Sequence, residues 1–547
     1  IINSKSTDFV SVGDDGFENT TNVVEAGRPV DVFNLPTGRD SGLEYLRVTN
    51  LAHTVKELGL HQIKGKHVFP TLAEAELKWS ANFSETSEEN PDKRSFTNLK
   101  YLYPDGDYDL LFLSENPKFP FKAYEDLVDK KSNYTIDLTI PWHSDQLNSA
   151  EFKLGYFISD SDRNSLGRYY SGLGSNSIVG GPDSKVEFYD RFEEFTWIDQ
   201  SFSTEGGYFR PGQVYYIEQT SRQGNVQSYA GTEKIEGMYF MLDFEVKSDV
   251  RFIMGVRRET TNMDVRTVDD FVNQALRNSG SIDDEVYLPA FHVVYPLGED
   301  RSQNLRFSFG RTLARPTFRE FSPFRVEDQQ SGEIFTGNPD LELTFTDNFD
   351  LRWEWFFGEV DLLAFGVYYK DFSNPIVQTV TSGVNASPLY SWQNASSGEI
   401  KGAEFEIRKS LGEHWSVGGN ATYIDSEISP LENASSGTVF EGQPEYILNL
   451  NAGYNNPDNG WSANIFFNHV AETLRYVGET VPSIFEDAYQ SLDLNVSKAI
   501  GKWTLKVTAK NITDEDKRFY YDGLNEQQIY EFWTPGPSYS ASATYRY

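Results

Sequence analysis

Apolar and polar residues alternate one for one along much of this chain. Tyr539, Ala541, Ala543 and Tyr545 are interleaved with Ser540, Ser542, Thr544 and Arg546. Successive side chains of a strand point to opposite faces, so this period makes one face greasy and the other wet. The beat recurs at Leu77, Trp79, Ala81 and Phe83, at Ile136, Leu138 and Ile140, and at Met238, Phe240, Leu242 and Phe244. It is strongest where Phe349, Leu351, Trp353 and Trp355 interleave with Asn348, Asp350, Arg352 and Glu354. A charged face behind a uniformly apolar one is hard to place in a soluble sheet. A strand with lipid outside and water inside accounts for it.

The connections alternate too. Gly358-Glu359, Gly412-Glu413, Asn456 to Gly460 and Gly501 mark short turns, and the intervening connections are long. Segments of about ten residues with this alternation predict a large antiparallel transmembrane β-barrel, all-β, with about seventeen strands visible. An odd count puts the chain's ends on opposite sides, with the C-terminus periplasmic and the start outside. Residues 1–42 are polar and acidic and read as an external loop, with the barrel over 43–547. A further long loop is expected over Gly172 to Gly224.

Composition narrows the picture. No run approaches the roughly 18 apolar residues of a spanning helix. Aromatics are 15% of the chain, enough for girdles at both membrane interfaces. Cysteine is absent, which removes disulfides, thiolate metal sites and a cysteine nucleophile. A net charge of −34 argues against nucleic-acid binding. The acid excess fits solvated loops, or alternatively attraction of cations. Zinc-protease, P-loop and nucleophile-elbow motifs are not found, so no enzyme is read here. Residues 1–20 lack a basic start followed by an apolar stretch.

Several stretches resemble the C-terminal barrel of TonB-dependent outer-membrane receptors. They are Arg311-Thr-Leu-Ala-Arg-Pro-Thr-Phe-Arg-Glu320, Gly337-Asn-Pro-Asp-Leu341, Asp347-Asn-Phe-Asp-Leu351 and Gly402-Ala-Glu-Phe-Glu406. Ser491-Leu-Asp-Leu-Asn-Val-Ser497 leading to Lys510-Asn-Ile-Thr-Asp514 continues the series. The resemblance implies a barrel of about 22 strands around an N-terminal plug. It implies import of siderophore iron, haem, cobalamin, glycan or peptide, driven by TonB through the plug, across a Gram-negative outer membrane. The expected partners are TonB, outer-membrane lipid and lipopolysaccharide, the barrel-assembly machinery and a surface lipoprotein. Tyr545 and Tyr547 resemble the terminal aromatic signal that this machinery reads. Ile1-Ile2-Asn3 looks like a cut through a strand, so the plug and first strands are expected before it. A passive porin or secretion pore, and a surface all-β binding protein, remain the alternatives.

Candidate sites carry two readings each. Asp105, Asp107 and Asp109, echoed by Asp160, Asp162 and Asn164, either gather a structural Ca²⁺ in external loops or form a solvated acidic turn. Arg311, Arg315 and Arg319 either face plug or substrate in the lumen, or pair with lumen acids such as Glu342 and Asp350. Arg352, Glu404 and Glu406 are further lumen-facing candidates. Tyr520, Tyr521, Tyr530 and Trp533, like Tyr189 to Trp197, either contact ligand from external loops or pack loop on loop. No cofactor is expected beyond the Ca²⁺.

Overall fold

The computed structural model describes residues 3–12, 17–29, 43–102, 108–112, 121–174, 214–218, 228–267, 279–323, 325–327, 334–382, 388–431, 438–479, 481–522 and 528–546. Its main feature is a 21-stranded sheet. Four of those strands, Asn3–Val12, Phe17–Pro29, Tyr108–Phe112 and Val214–Glu218, pair only with outer stretches of long strands or with each other. The other seventeen run from Leu43–Phe69 to Ser538–Tyr545 in chain order, each antiparallel to the last. That agrees with the strand number expected from the alternation.

Two expectations need correction. Residues 1–42 hold two strands, Asn3–Val12 and Phe17–Pro29, hydrogen-bonded to each other and to Leu43–Val55. The run Thr20-Thr21-Asn22-Val23-Val24 favours strand, and the acidic Asp14-Asp15-Gly16 masked that signal. Within 172–224, strand continues to Gly174 and resumes at Val214–Glu218.

Cross-strand register turns the sequence alternation into continuous rows. Leu305 pairs with Trp353, Trp353 with Phe365, Phe365 with Phe405, Phe405 with Ala421 and Ala421 with Leu448. Half of these are solvent-open, Leu305 by 36%, Phe365 by 48% and Phe405 by 43%. Contiguous apolar rows of this extent exceed what a water-soluble monomer exposes, and lipid is the medium that suits them. One residue along each strand, the parallel row reads Glu354, Ala364, Glu406, Asn420, Asn449 and Asn468.

Tight turns close one end. Gly412 (φ 69°) and Gly501 (φ 58°) take left-handed backbone there, where only glycine is unstrained. The long connections gather at the opposite end and build a second, eight-stranded sheet. It draws strands from four connections, for example Ile376–Ser382, Pro388–Asn394, Thr473–Gly478 and Lys517–Tyr521. Two of its pairings between connections are parallel, Ile334–Thr336 with Pro388–Asn394 and Ile376–Ser382 with Thr473–Gly478. Its core is Val380, Tyr390, Tyr476, Ile484 and Phe519.

Candidate functional site

The polar face of the large sheet has two chemically different sides. On the first, Arg306 Nε donates to Glu354 Oε2 at 2.7 Å, and Arg352 Nε donates to Glu354 Oε1 at 3.0 Å. Arg352 also reaches Glu406 Oε2 at 2.8 Å, and Arg408 Nε donates to Glu406 Oε1 at 2.9 Å. Strand Leu362–Ser373 lies between Arg352 and the Glu406 strand. Its inward residues there are Ala364 and Gly366, and a Cβ at Gly366 would already touch Arg352 Cβ and Cγ at 3.9 Å, so a long side chain there would compete with the guanidinium for the crossing. The small residues are thus what lets a guanidinium bridge two strands. Charge-assisted, multiply bonded pairs of this kind hold each other in place.

On the second side the same row continues in amides. Asn449 Nδ2 donates to Asn420 Oδ1 at 2.9 Å, and Asn468 Nδ2 donates to Asn449 Oδ1 at 2.7 Å. Thr508 Oγ1 donates to Asn495 Oδ1 at 2.8 Å. Phe466 projects from this polar face with 43% of its surface open, between Asn451 and Asp493 in register.

The mouth on the long-connection side is narrowed by one connection folding inward. After Ala314, Pro316 is buried and the short helix Phe318–Phe321 is fixed by a capping box between Thr317 and Glu320. Phe318 and Phe321 pack with Met263, Val265, Leu341 and Leu343 against the inner face. Gly231 and Gly280 make room for their rings.

The predicted site residues separate accordingly. Arg315 does face inward, but its partners are Glu259 Oε2 at 2.5 Å and Thr261 Oγ1 at 2.9 Å, not Glu342 or Asp350. Arg311 faces outward: it shares parity with Phe309, pairs in register with Asp347 and lies over the Phe345 ring. That overturns its lumen placement, and strand parity counted from Phe309 was the signal available. Arg319 sits on the inward helix, over Phe335 at 5.0 Å. Glu342 precedes the strand Thr344–Phe356 and accepts from Asn374 Nδ2 at 2.8 Å, so it belongs to the connection rather than to the lumen row. Asp350, Arg352, Glu404 and Glu406 are on the polar face, with Glu404 3.8 Å from Arg352.

In the external sheet, Tyr520 is 8% exposed and its hydroxyl donates to the Glu472 carboxylate; burial first, and then that carboxylate, push its pKa up. Tyr521 meets Tyr530 edge-on at 5.5 Å, and the Tyr530 and Tyr390 hydroxyls are 2.9 Å apart. These three pack connection on connection. Trp533 is 48% exposed, with Nε1 donating to Glu531. Glu441, unmarked by any motif, lies where four connections converge. Its Oε1 is buried without a hydrogen-bond partner among the described residues. Burial pushes its pKa up to about 8, against the opposing influence of the Gln378 backbone and Arg475 and with a contribution from Glu320.

Asp105, Asp107, Tyr547 and the stretch 189–197 lie outside the described residues, and Asp109 is on the short strand Tyr108–Phe112. Asp160, Asp162 and Asn164 share one face of strand Leu147–Gly174, with Asn164 donating to Asp162 at 2.8 Å, rather than forming a loop. Tyr545 packs against Trp503 on the apolar face, with ring centroids 5.1 Å apart and planes tilted by 57°.

An apolar-outside, polar-inside antiparallel wall with tight turns at one end and a built cap at the other defines an outer-membrane β-barrel. The chain matches the family model "TonB dependent receptor-like, beta-barrel" over residues 79–512, and it belongs to that family. Among solved structures it is similar to the copper transporter OprC, with 12% identity over 100% of this chain and 80% of that one, TM-score 0.52. It is also similar to the ferric-catecholate import receptor Fiu from K12 E. coli, with 12% identity, 99% and 79% covered, TM-score 0.51. The ferric yersiniabactin uptake receptor FyuA from Yersinia pestis gives 11% identity, 99% and 77% covered, TM-score 0.51. No curated protein matches the sequence. The family and these neighbours are receptors and transporters of the bacterial outer membrane, not enzymes.

Proposed function

We propose that this chain forms the wall and external selector of a TonB-dependent active importer for a scarce or large substrate. The observation that carries this reading is the inward-folded connection around Phe318 and Phe321, packed on the polar face at the mouth. A passive porin needs an open lumen, whereas an importer that captures cargo needs a structured mouth. The ordered sheet built from four connections gives that mouth fixed walls, as a selector requires. The tight-turn end, with the C-terminus, is then periplasmic. Cargo of the siderophore-iron, haem, cobalamin, glycan or peptide classes enters from the cap side, and TonB supplies the force for release.

The test is planar-bilayer conductance of the protein purified from its own outer membrane, with binding of the TonB periplasmic domain measured in parallel. A closed resting state together with TonB binding supports the importer. Large steady conductance without TonB binding assigns a passive pore instead.

A further inference from the structure

The polar face is divided by chemistry, and the division follows the strands. From Phe121–Pro141 to Ser397–Leu411 the inward positions carry many charges, and several of them are paired with one another, with Asp350 exposed beside the interlocked ones. Besides the Arg306–Glu354–Arg352–Glu406–Arg408 chain, Arg251 holds Asp243 through two bonds of 2.8 and 2.7 Å. From Trp415–Ile428 to Ser538–Tyr545 the inward positions are serine, threonine and asparagine in the main, with charge at Asp493, Lys506 and Lys510. Asn420, Asn449, Asn451, Asn464, Asn468 and Asn495 line it, with Phe466 open among them. A cavity of about 380 Å³ lies where the two sides meet, bordered inwardly by Glu406, Arg408, Asn420 and Asn451.

We propose that solute crossing this barrel travels along the amide-and-hydroxyl wall, with Phe466 as an apolar step, while the ion-paired wall stays out of its path. The inference rests on the importer reading and names which part of the lumen does the work. Each interlocked pair on the charged side could meet a passing solute only by giving up a partner, and a half-broken pair leaves an uncompensated charge. The amide side has no such penalty. A carboxamide offers two donors and two acceptor lone pairs, and the ladder from Asn420 to Asn468 engages a fraction of them. A passing solute can therefore exchange hydrogen bonds one at a time. Passage requires contacts favourable enough to enter and weak enough to leave. The exposed Phe466 ring adds a flat surface for the CH-rich or planar parts of a polar solute. The solute class that suits this wall is rich in hydroxyl or amide groups and does not depend on its own charge for contact.

These 547 residues hold no cysteine, so a thiol placed among them reports its own position against the labelling of the unsubstituted protein. Asn451→Cys and Asn464→Cys sample the amide wall, and Asp350→Cys and Glu404→Cys sample the charged wall. Asp340→Cys, in an external connection, reports surface display and correct assembly. Intact cells carrying each full-length variant are treated with a membrane-impermeant maleimide, energised or with an uncoupler added. The expected result is a several-fold rise in labelling rate at 451 and 464 on energisation, with 350 and 404 unchanged. A rise at 350 and 404 alone, or an equal rise at all four, overturns the track while leaving import standing. No energy-dependent labelling at any of the four, with position 340 labelled normally, overturns the importer reading itself.

Discussion

Replacing Glu441 by glutamine should remove a pH dependence from the external cap. Glu441 Oε1 has no hydrogen-bond partner among the described residues, and burial raises its pKa from 4.5 to about 8. The charged groups that act on it are Arg475 and Glu320, with the Gln378 backbone opposing the shift. An acid whose folded pKa lies above its unfolded value holds its proton longer in the folded state. Its contribution therefore becomes steadily more unfavourable as pH rises from the unfolded value to about 8, and is constant above that. Each pH unit in the window costs about 1.4 kcal/mol, so going from roughly pH 6 to pH 9 costs about 3 kcal/mol, or a roughly 100-fold loss of protection. The segment to observe is the one Glu441 adjoins, where Gly442 N–H donates to Leu474 C=O at 2.8 Å. Hydrogen exchange of residues 438–445 and 473–478, corrected for intrinsic rates, reads this directly. The wild-type cap should loosen as pH rises, and Glu441→Gln, which keeps the shape without the charge, should stay level. A level wild type, or a variant with the same slope, refutes the reasoning.

Arg352→Met leaves Glu354 and Glu406, two strands apart on one row, without their shared cation; because these groups are partly hydrated the cost should be about 1–3 kcal/mol, seen as a lower temperature for loss of the compact form on semi-denaturing gels. Gly402→Leu drives a side chain into the Tyr368 ring that covers it, and assembled yield in the outer membrane should fall sharply; normal yield would show that the ring swings away without cost. Tyr390→Phe strips one hydroxyl from the 2.9 Å pair with Tyr530 and should destabilise the cap by about 1 kcal/mol, with the double change to phenylalanine costing less than the sum of the two single ones. Thermal unfolding of the cap, followed by aromatic circular dichroism, checks this.

Much of the wall was legible in the chain, because a strand has a period of two and a membrane accepts only one kind of face. Leu305, Phe307 and Phe309 point out and Arg306 and Ser308 point in whatever the neighbours are. The tight turns at Gly412 and Gly501, and the number of long strands, follow from the same local rules. The same parity places Arg311 outside, beside Asp347, although grouping it with Arg315 and Arg319 beside Pro316 had set it in the lumen. Two strands before residue 30 were hidden under acidic composition, since charge at a strand's surface says little about its backbone.

What the tertiary structure decided is partnership. Arg315 meets Glu259, 56 positions earlier, because the connection after Ala314 bends inward onto another strand's face. Tyr520 is buried rather than open, and Tyr530 reaches Tyr390, because pairings between separate connections, two parallel and one antiparallel, raise a sheet over the mouth. No local pattern encodes which loops meet, since those contacts are set by the order of strands around the wall. The split of the inner face into an interlocked charged side and an open amide side has the same origin. Each strand contributes only its own few inward residues, and the register across neighbouring strands joins them into walls.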